Sequence, residues 1–154
     1  MRHIAQCVSS KKGNLFCTIF FQLKKNYPSL QEFLLINPIL NIDVLSKYCN
    51  KKNISFKFPN DILIKKKKIC GILQEVISQD SKKYLLVGIG INILSSPAIN
   101  NYPSTNIFKE TQKKPKLLNI VYQIKKRYEK FFSNLGFYKF LDFKFKLKEL
   151  TKPI

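Results

Sequence analysis

Three apolar segments in the middle of the chain limit its possible folds more than any other feature. They are Lys57-Phe58-Pro59-Asn60-Asp61-Ile62-Leu63-Ile64, Lys68-Ile69-Cys70-Gly71-Ile72-Leu73-Gln74-Glu75 and Val87-Gly88-Ile89-Gly90-Ile91-Asn92-Ile93. Runs rich in β-branched residues, broken by Pro, Asn, Asp and Gly, read as short strands separated by turns. The pattern predicts strands over residues 54–58, 62–64, 69–77 and 84–93, with 65–68 as a hairpin connection. Links this short suit hairpins rather than helical crossovers, which need a dozen or more residues. The 65–68 link contains no Asn-Gly or Asp-Gly pair, so its turn geometry is left open.

The flanking sequence supplies layers for this sheet. Residues 14–23, with Phe16, Thr18, Ile19, Phe20 and Phe21, read as a strand largely buried on both faces. A loop through Pro28 leads into an apolar helix over 30–48, in which Pro38 predicts a kink or a split. Residues 94–115 carry Pro97, Pro103 and Pro115 and read as one long loop. Leu117, Ile120, Val121, Ile124, Tyr128, Phe131 and Leu135 then fall at helical spacing, with Lys125, Lys126, Glu129 and Lys130 outside the stripe. A last helix is expected within 137–150. The result is an α+β chain, a mixed β-sheet flanked by helices, read as one domain over residues 1–154.

Charge is the outstanding compositional feature. The chain of 154 residues has 28 basic and 9 acidic side chains, a net charge of +19. Only Arg2 and Arg127 are arginines. Base readout and bidentate phosphate clamps favour the planar guanidinium, so a lysine-only excess reads as a solvated surface with weak polyanion affinity and no specific nucleic-acid function. Cys7, Cys17, Cys49 and Cys70 form no Cys-x-x-Cys pair, and His3 completes no familiar ligand spacing with them. No metal site of the chain's own is expected, and the thiols read as buried in a reducing compartment. The apolar window 30–45 contains Asn37, Pro38, Asn41 and Asp43 and does not read as a membrane span. No signal peptide is read at the amino terminus, so a cytoplasmic location is expected.

Nothing in the chain suggests nucleophilic catalysis, because its single histidine has no plausible partner. Gly88-Ile89-Gly90 is not a dinucleotide fingerprint, since no third glycine or helix start follows. Gly71, Gly88 and Gly90 instead remove side chains where a ligand or another strand comes close. Pro59 ends ladder pairing and aims Lys57, Asn60 and Asp61 toward a crevice. Glu75 reads as a solvent-facing strand residue.

The same three segments resemble the active-site core of biotin protein ligases, which carry Lys-Trp-Pro-Asn-Asp, Lys-Leu-Ala-Gly-Ile-Leu and Gly-x-Gly-Ile-Asn in this order and at about this spacing. Phe58 stands where that family usually has Trp. The resemblance implies the class II synthetase-like biotin/lipoate ligase catalytic fold. It implies ATP and biotin as substrates, Mg2+ on the leaving pyrophosphate, a biotin carboxyl carrier protein as acyl acceptor, and a possible homodimer. Lys68 matches the lysine that reaches both the biotin carboxylate and the adenylate phosphate. Lys57 and Asp61 join it as catalytic candidates. Arg2, Asn60, Gly71, Ile72, Gly88, Gly90 and Asn92 become candidates for substrate and nucleotide binding, and Ser104-Thr105-Asn106-Ile107 resembles the Ala-Thr-Ser-Leu segment after the last strand.

Residues 2–13 resemble the later part of the family's Gly-Arg-Gly-Arg-x-Gly-Arg-x-Trp loop and the Ser-Pro-x-Gly-Asn that follows. Arg2, Ser9, Gly13 and Asn14 fit, whereas Met1, Ile4, Ala5 and Cys7 replace Gly, Gly, Arg and Trp. The family's earlier biotin-contacting segment would precede Met1, and residues 148–154 resemble the stretch before its small carboxy-terminal domain. A catalytic domain short at both ends is therefore expected. Formation of biotinyl-5′-AMP and transfer of biotin to a carrier lysine is the principal reading. The rivals are a lipoate or other acyl–protein ligase of the same fold and an inactive remnant. Lys57, Lys68, Gly71, Gly88, Gly90 and Asn92 are expected to converge on one crevice at the sheet edge.

Overall fold

The computed structural model describes residues 5–11 and 13–151. Six strands form one sheet in the order β1-β2-β6-β5-β4-β3 among these residues. They are β1 (Ala5–Lys11), β2 (Asn14–Gln22), β3 (Ile54–Lys57), β4 (Asp61–Ile64), β5 (Lys67–Gln79) and β6 (Lys82–Ile91). All neighbouring strands run antiparallel. The parallel component of the described sheet is an isolated bridge between Lys68 and Ser104.

The β4–β5 and β5–β6 hairpins turn without glycine. Lys65 and Lys66 have φ of 48° and 64°, and Asp80 and Ser81 have 49° and 60°. Two consecutive left-handed residues match the twist of an antiparallel pair. Each costs roughly 1–2 kcal/mol for an L-residue, so the paired strands must outweigh the turn. That is why the turn between β4 and β5 had no conventional signature.

The β2 strand alternates rather than being buried on both sides. Leu15, Cys17, Ile19 and Phe21 face the core, while Phe16 and Phe20 remain 48% and 38% exposed. Among the described residues, helices cover one face of the sheet, which corrects the expected two-sided burial. On that face β2 joins Leu85, Val87, Ile89 and Ile91 of β6 and Cys70 and Ile72 of β5.

The covering helices are α1 (Leu30–Leu45), α3 (Leu117–Ser133) and α4 (Phe140–Leu150); a short α2 (Ile107–Thr111) interrupts the expected loop. Ser29 and Glu32 form a reciprocal capping box at the start of α1. The helix continues through Pro38, and is neither split there nor extended to residue 48. Pro38 removes a hydrogen bond that the Leu34 carbonyl would accept, at a cost of about 3 kcal/mol. Burial of Phe33, Ile36, Ile39, Leu40, Ile42, Val44 and Leu45 on several sides of α1 offsets it, because tertiary packing rather than propensity supplies most helix stability. Phe33 packs near Phe21 and Phe131 at centroid distances of 5.4 and 6.3 Å.

A polar cluster is enclosed between these layers. The Tyr128 hydroxyl donates to Asn37 Oδ1 at 3.0 Å, and the Asn37 amide donates to Gln74 Oε1 at 2.9 Å. Asn41 donates to the Asn37 carbonyl at 2.9 Å. These bonds let polar side chains occupy the α1 seam that the sequence pattern assigned to a broken helix. No described helix is long and apolar enough to cross a membrane.

Candidate active site

The uncovered sheet face holds the glycines. Strand register aligns Asp61, Gly71, Gly90 and Phe16 in one cross-strand row, and Leu73, Gly88 and Thr18 in the next. Residues directly opposite share a face. The glycines therefore leave a floor between Phe16, Thr18 and Leu73, and a crevice of about 420 Å³ opens over it, lined also by Asn60 and Ile72. It lies over the inner strands β2, β6 and β5, not at the sheet edge as expected. A second space of about 230 Å³ shares Phe16, Gly71 and Gly90 and reaches Lys68, Asn92 and Tyr102.

The position of Lys68 depends on an irregularity between β4 and β5. Leu63 pairs with Lys68 and Ile62 with Cys70, so Ile69 is an extra residue. Residues 68 and 71 would face opposite ways in a regular strand; the bulge reverses that parity. Ile69 and Cys70 are both buried, while Lys68 turns toward Gly71. A Cβ at Gly71 would lie 3.2 Å from Lys68 Cε and 3.3 Å from Nζ, so the glycine makes room for the lysine tip.

Lys68 Nζ pairs with Asp61 Oδ1 at 2.7 Å. The other Asp61 oxygen accepts a hydrogen bond from the Tyr102 hydroxyl. Lys57 Nζ lies 4.4 Å from the Tyr102 ring centroid and Lys68 Nζ 5.6 Å from it. Burial, followed by the hydrogen bond to Asp61, pushes the Tyr102 phenol up to about 12. Tyr102 thus remains protonated and able to donate at neutral pH. Cys70, buried on the core side of β5, is also pushed up to about 12, with desolvation as the main cause. It is not a thiolate nucleophile.

Asn92 lines the smaller cavity, but its amide donates to the Thr105 carbonyl at 3.0 Å and the Lys68 carbonyl at 3.5 Å. In this arrangement it secures the segment after β6. Asn14 does comparable work nearby: its Oδ1 accepts from the amides of Ile93, Leu94 and Ser95 at 2.8, 3.2 and 3.3 Å. Gly13, at φ 75°, sits against Leu94, where a Cβ would approach Cδ1 to 2.7 Å. A side chain there would be blocked by both conformation and space.

The structure brings Lys57, Asn60, Asp61, Lys68, Gly71, Ile72, Gly88, Gly90 and Asn92 around two adjoining spaces. Arg2 and Ile4 lie outside the described residues. Sequence reasoning missed Tyr102, Phe16 and Thr18. Tyr102 sits in a Pro-rich loop with no periodicity, while Phe16 and Thr18 were assigned to a strand without identifying their open face. Glu75 is exposed. A larger concavity of about 800 Å³ lies between α1, α3 and α4, bordered by Lys47, Lys126, Lys130 and the Arg127–Asp43 ion pair. It has none of the glycine floor or the converging catalytic candidates of the sheet crevice.

Comparison with known proteins places the fold and the family of the chain. The model of the biotin/lipoate A/B protein ligase family matches residues 5–92. A biotin protein ligase from Aquifex aeolicus, in complex with biotin and ATP, is similar at 25% identity and a TM-score of 0.72; the match covers 93% of this chain and 60% of that one. The Leishmania major biotin protein ligase with biotin shares 22% identity at a TM-score of 0.76, with coverage of 94% and 64%. The fold also extends to P. falciparum LipL1 in complex with lipoate, at 16% identity and a TM-score of 0.55, with coverage of 79% and 35%. The chain thus spans about 60% of the length of the Aquifex protein.

Proposed function

Because this chain belongs to the biotin/lipoate A/B protein ligase family, we propose that it activates biotin with ATP as biotinyl-5′-AMP and transfers the biotinyl group to a carrier-domain lysine. The observation that supports this reading most directly is Lys68 in the space that adjoins the glycine-floored crevice and shares Phe16, Gly71 and Gly90 with it, paired with Asp61 at 2.7 Å. The biotin carboxylate attacks the α-phosphate and pyrophosphate leaves. Negative charge grows on the phosphate oxygens, and a preorganised ammonium stabilises it without needing a protein nucleophile. Lys57 adds a second cation near the Tyr102 ring.

The crevice is large enough to enclose the rings of a small organic acid. Phe16 and Leu73 provide its apolar contacts. In the second half-reaction, a neutral carrier amine attacks the acyl carbon and AMP departs. Mg2+, when bound, would neutralise charge on the leaving pyrophosphate, and it commonly uses substrate phosphates and one or two carboxylates. Asp61 is the carboxylate at hand, but Lys68 and Tyr102 already engage both its oxygens. Among the described residues no group of three metal-ligating side chains gathers, at Asp61 or elsewhere.

ATP–pyrophosphate exchange driven separately by biotin and lipoate tests this reading. Biotin-dependent exchange supports it, and Lys68→Ala should lower the rate about 100-fold, the scale for removing one transition-state charge stabiliser. Exchange with lipoate alone would assign the chain to the lipoate branch. Absence of exchange with either acid would favour the inactive reading, for which the specific sequence observation is Ile4, Ala5 and Cys7 in place of the family's Gly, Arg and Trp. Full activity in Lys68→Ala would exclude the assigned role.

A further inference from the structure

We propose that Tyr102 is a positioning residue for Lys68, acting through Asp61 and thereby fixing the ammonium at the glycine floor. This inference rests on the ligase reading for its effect on rate. The three catalytic candidates drawn from the sequence all meet Tyr102: Asp61 accepts its hydroxyl hydrogen bond, while Lys57 and Lys68 approach its ring at 4.4 and 5.6 Å. The Lys68–Asp61 contact completes the unit at 2.7 Å.

The geometry provides a reason for that unit. A lysine ammonium is a compact charge on a flexible four-carbon stem, so its backbone position alone does not define where the charge sits. Gly71 provides space for the tip, and Asp61 provides a directional partner. A carboxylate restrained through one oxygen can still rotate; Tyr102 fixes the second oxygen. The electron-rich ring face also tolerates two nearby lysines that would otherwise repel one another.

The loop that carries Tyr102 is attached to the residue it organises. The Lys68 amide donates to the Pro103 carbonyl at 2.9 Å, and the Thr105 amide donates to the Lys68 carbonyl at 2.8 Å. Asn92 braces the same crossing by donating to the Thr105 carbonyl at 3.0 Å. The backbone and side chain of Lys68 are consequently restrained by one segment. Displacement of that segment changes the cation's position without altering the cation itself.

Tyr102→Phe separates these functions because it keeps the ring and removes the hydroxyl. Competitive acetylation of the full chain with acetic anhydride, read by peptide mass spectrometry, should show Lys68 labelled at least about threefold faster in Tyr102→Phe while other lysines are unchanged. In biotin-dependent ATP–pyrophosphate exchange the variant should lose about tenfold in kcat, with a smaller change in KM for biotin. Combining Tyr102→Phe with Asp61→Asn should add little to the Asp61→Asn defect, because the two residues act in series. Unchanged Lys68 labelling, or a fully additive double variant, would overturn the inference. Faster Lys68 labelling in a protein with no exchange for either acid would retain the positioning role and reject the ligase reading. Circular dichroism of the variants distinguishes both results from unfolding, which would itself count against a role confined to positioning.

Discussion

The two faces of the central strands solve different problems with adjacent residues. On the helix-covered face, Ile19, Val87 and Phe21 of β2 and β6 are at most 1% exposed, and the Phe21 ring packs against Phe33 of α1 and Phe132 of α3. On the open face, Gly88, Gly90 and Gly71 occupy intervening positions, so the same strands leave space. Alternation allows one backbone to serve both purposes. The contrast shows that burial determines stability on one side, while removal of side chains and placement of a few charges shape the other.

The largest test of this contrast is Phe33→Ala on the covered face. Truncating this fully buried ring should cost about 3–5 kcal/mol in urea unfolding, enough to threaten a domain of ordinary stability. Phe16→Ala, by comparison, should cost much less because that ring is 48% exposed. Equal losses would break the proposed division between the faces. Tyr128→Phe should have an intermediate effect of about 1–2 kcal/mol, since it leaves the buried Asn37 oxygen without its 3.0 Å donor.

Gly88→Ala sharpens the comparison from the open side. Its Cβ would stand 3.7 Å from that of Leu73, an ordinary contact, so unfolding should move by less than about 0.5 kcal/mol. The added methyl occupies the crevice floor and should raise the KM for biotin about tenfold through overpacking. A stability loss without a change in KM would reverse that assignment. The smallest expected effect lies at the α1 cap. The Ser29 backbone hydrogen bond holds Glu32 below its ordinary value of 4.5, despite opposing desolvation. A lowered folded-state value means that this stabilisation is present above pH 4.5 and is lost as pH falls through the folded value. Urea titrations should therefore show less acid sensitivity in Glu32→Gln than in the parent.

Much of the site was legible because short motifs carry strong local constraints. Gly71, Gly88 and Gly90 could be placed on strands, and Asn60-Asp61 at a strand junction, before their contacts were known. Other elements required context. Pro38 is locally unfavourable to a helix, but surrounding burial keeps α1 continuous. Lys65-Lys66 lacks turn chemistry, yet β4–β5 pairing holds both residues in left-handed geometry. Tyr102 had no local signal because its partners are separated by decades of sequence positions and meet only when its loop crosses Lys68.

From the sequence alone came the positions of the central strands, the helical stripe of α3, the excess of lysine and the ordered motifs that identify the family. These depend on residue type and short spacing, so they survive without coordinates. The tertiary structure decided which face of β2 would be covered, which residue would be extra in β5, and how Tyr102 would meet Asp61. Those outcomes depend on nonlocal pairing. In particular, the Ile69 bulge changes a strand's side-chain parity and places Lys68 beside Gly71, a contact that regular alternation would forbid.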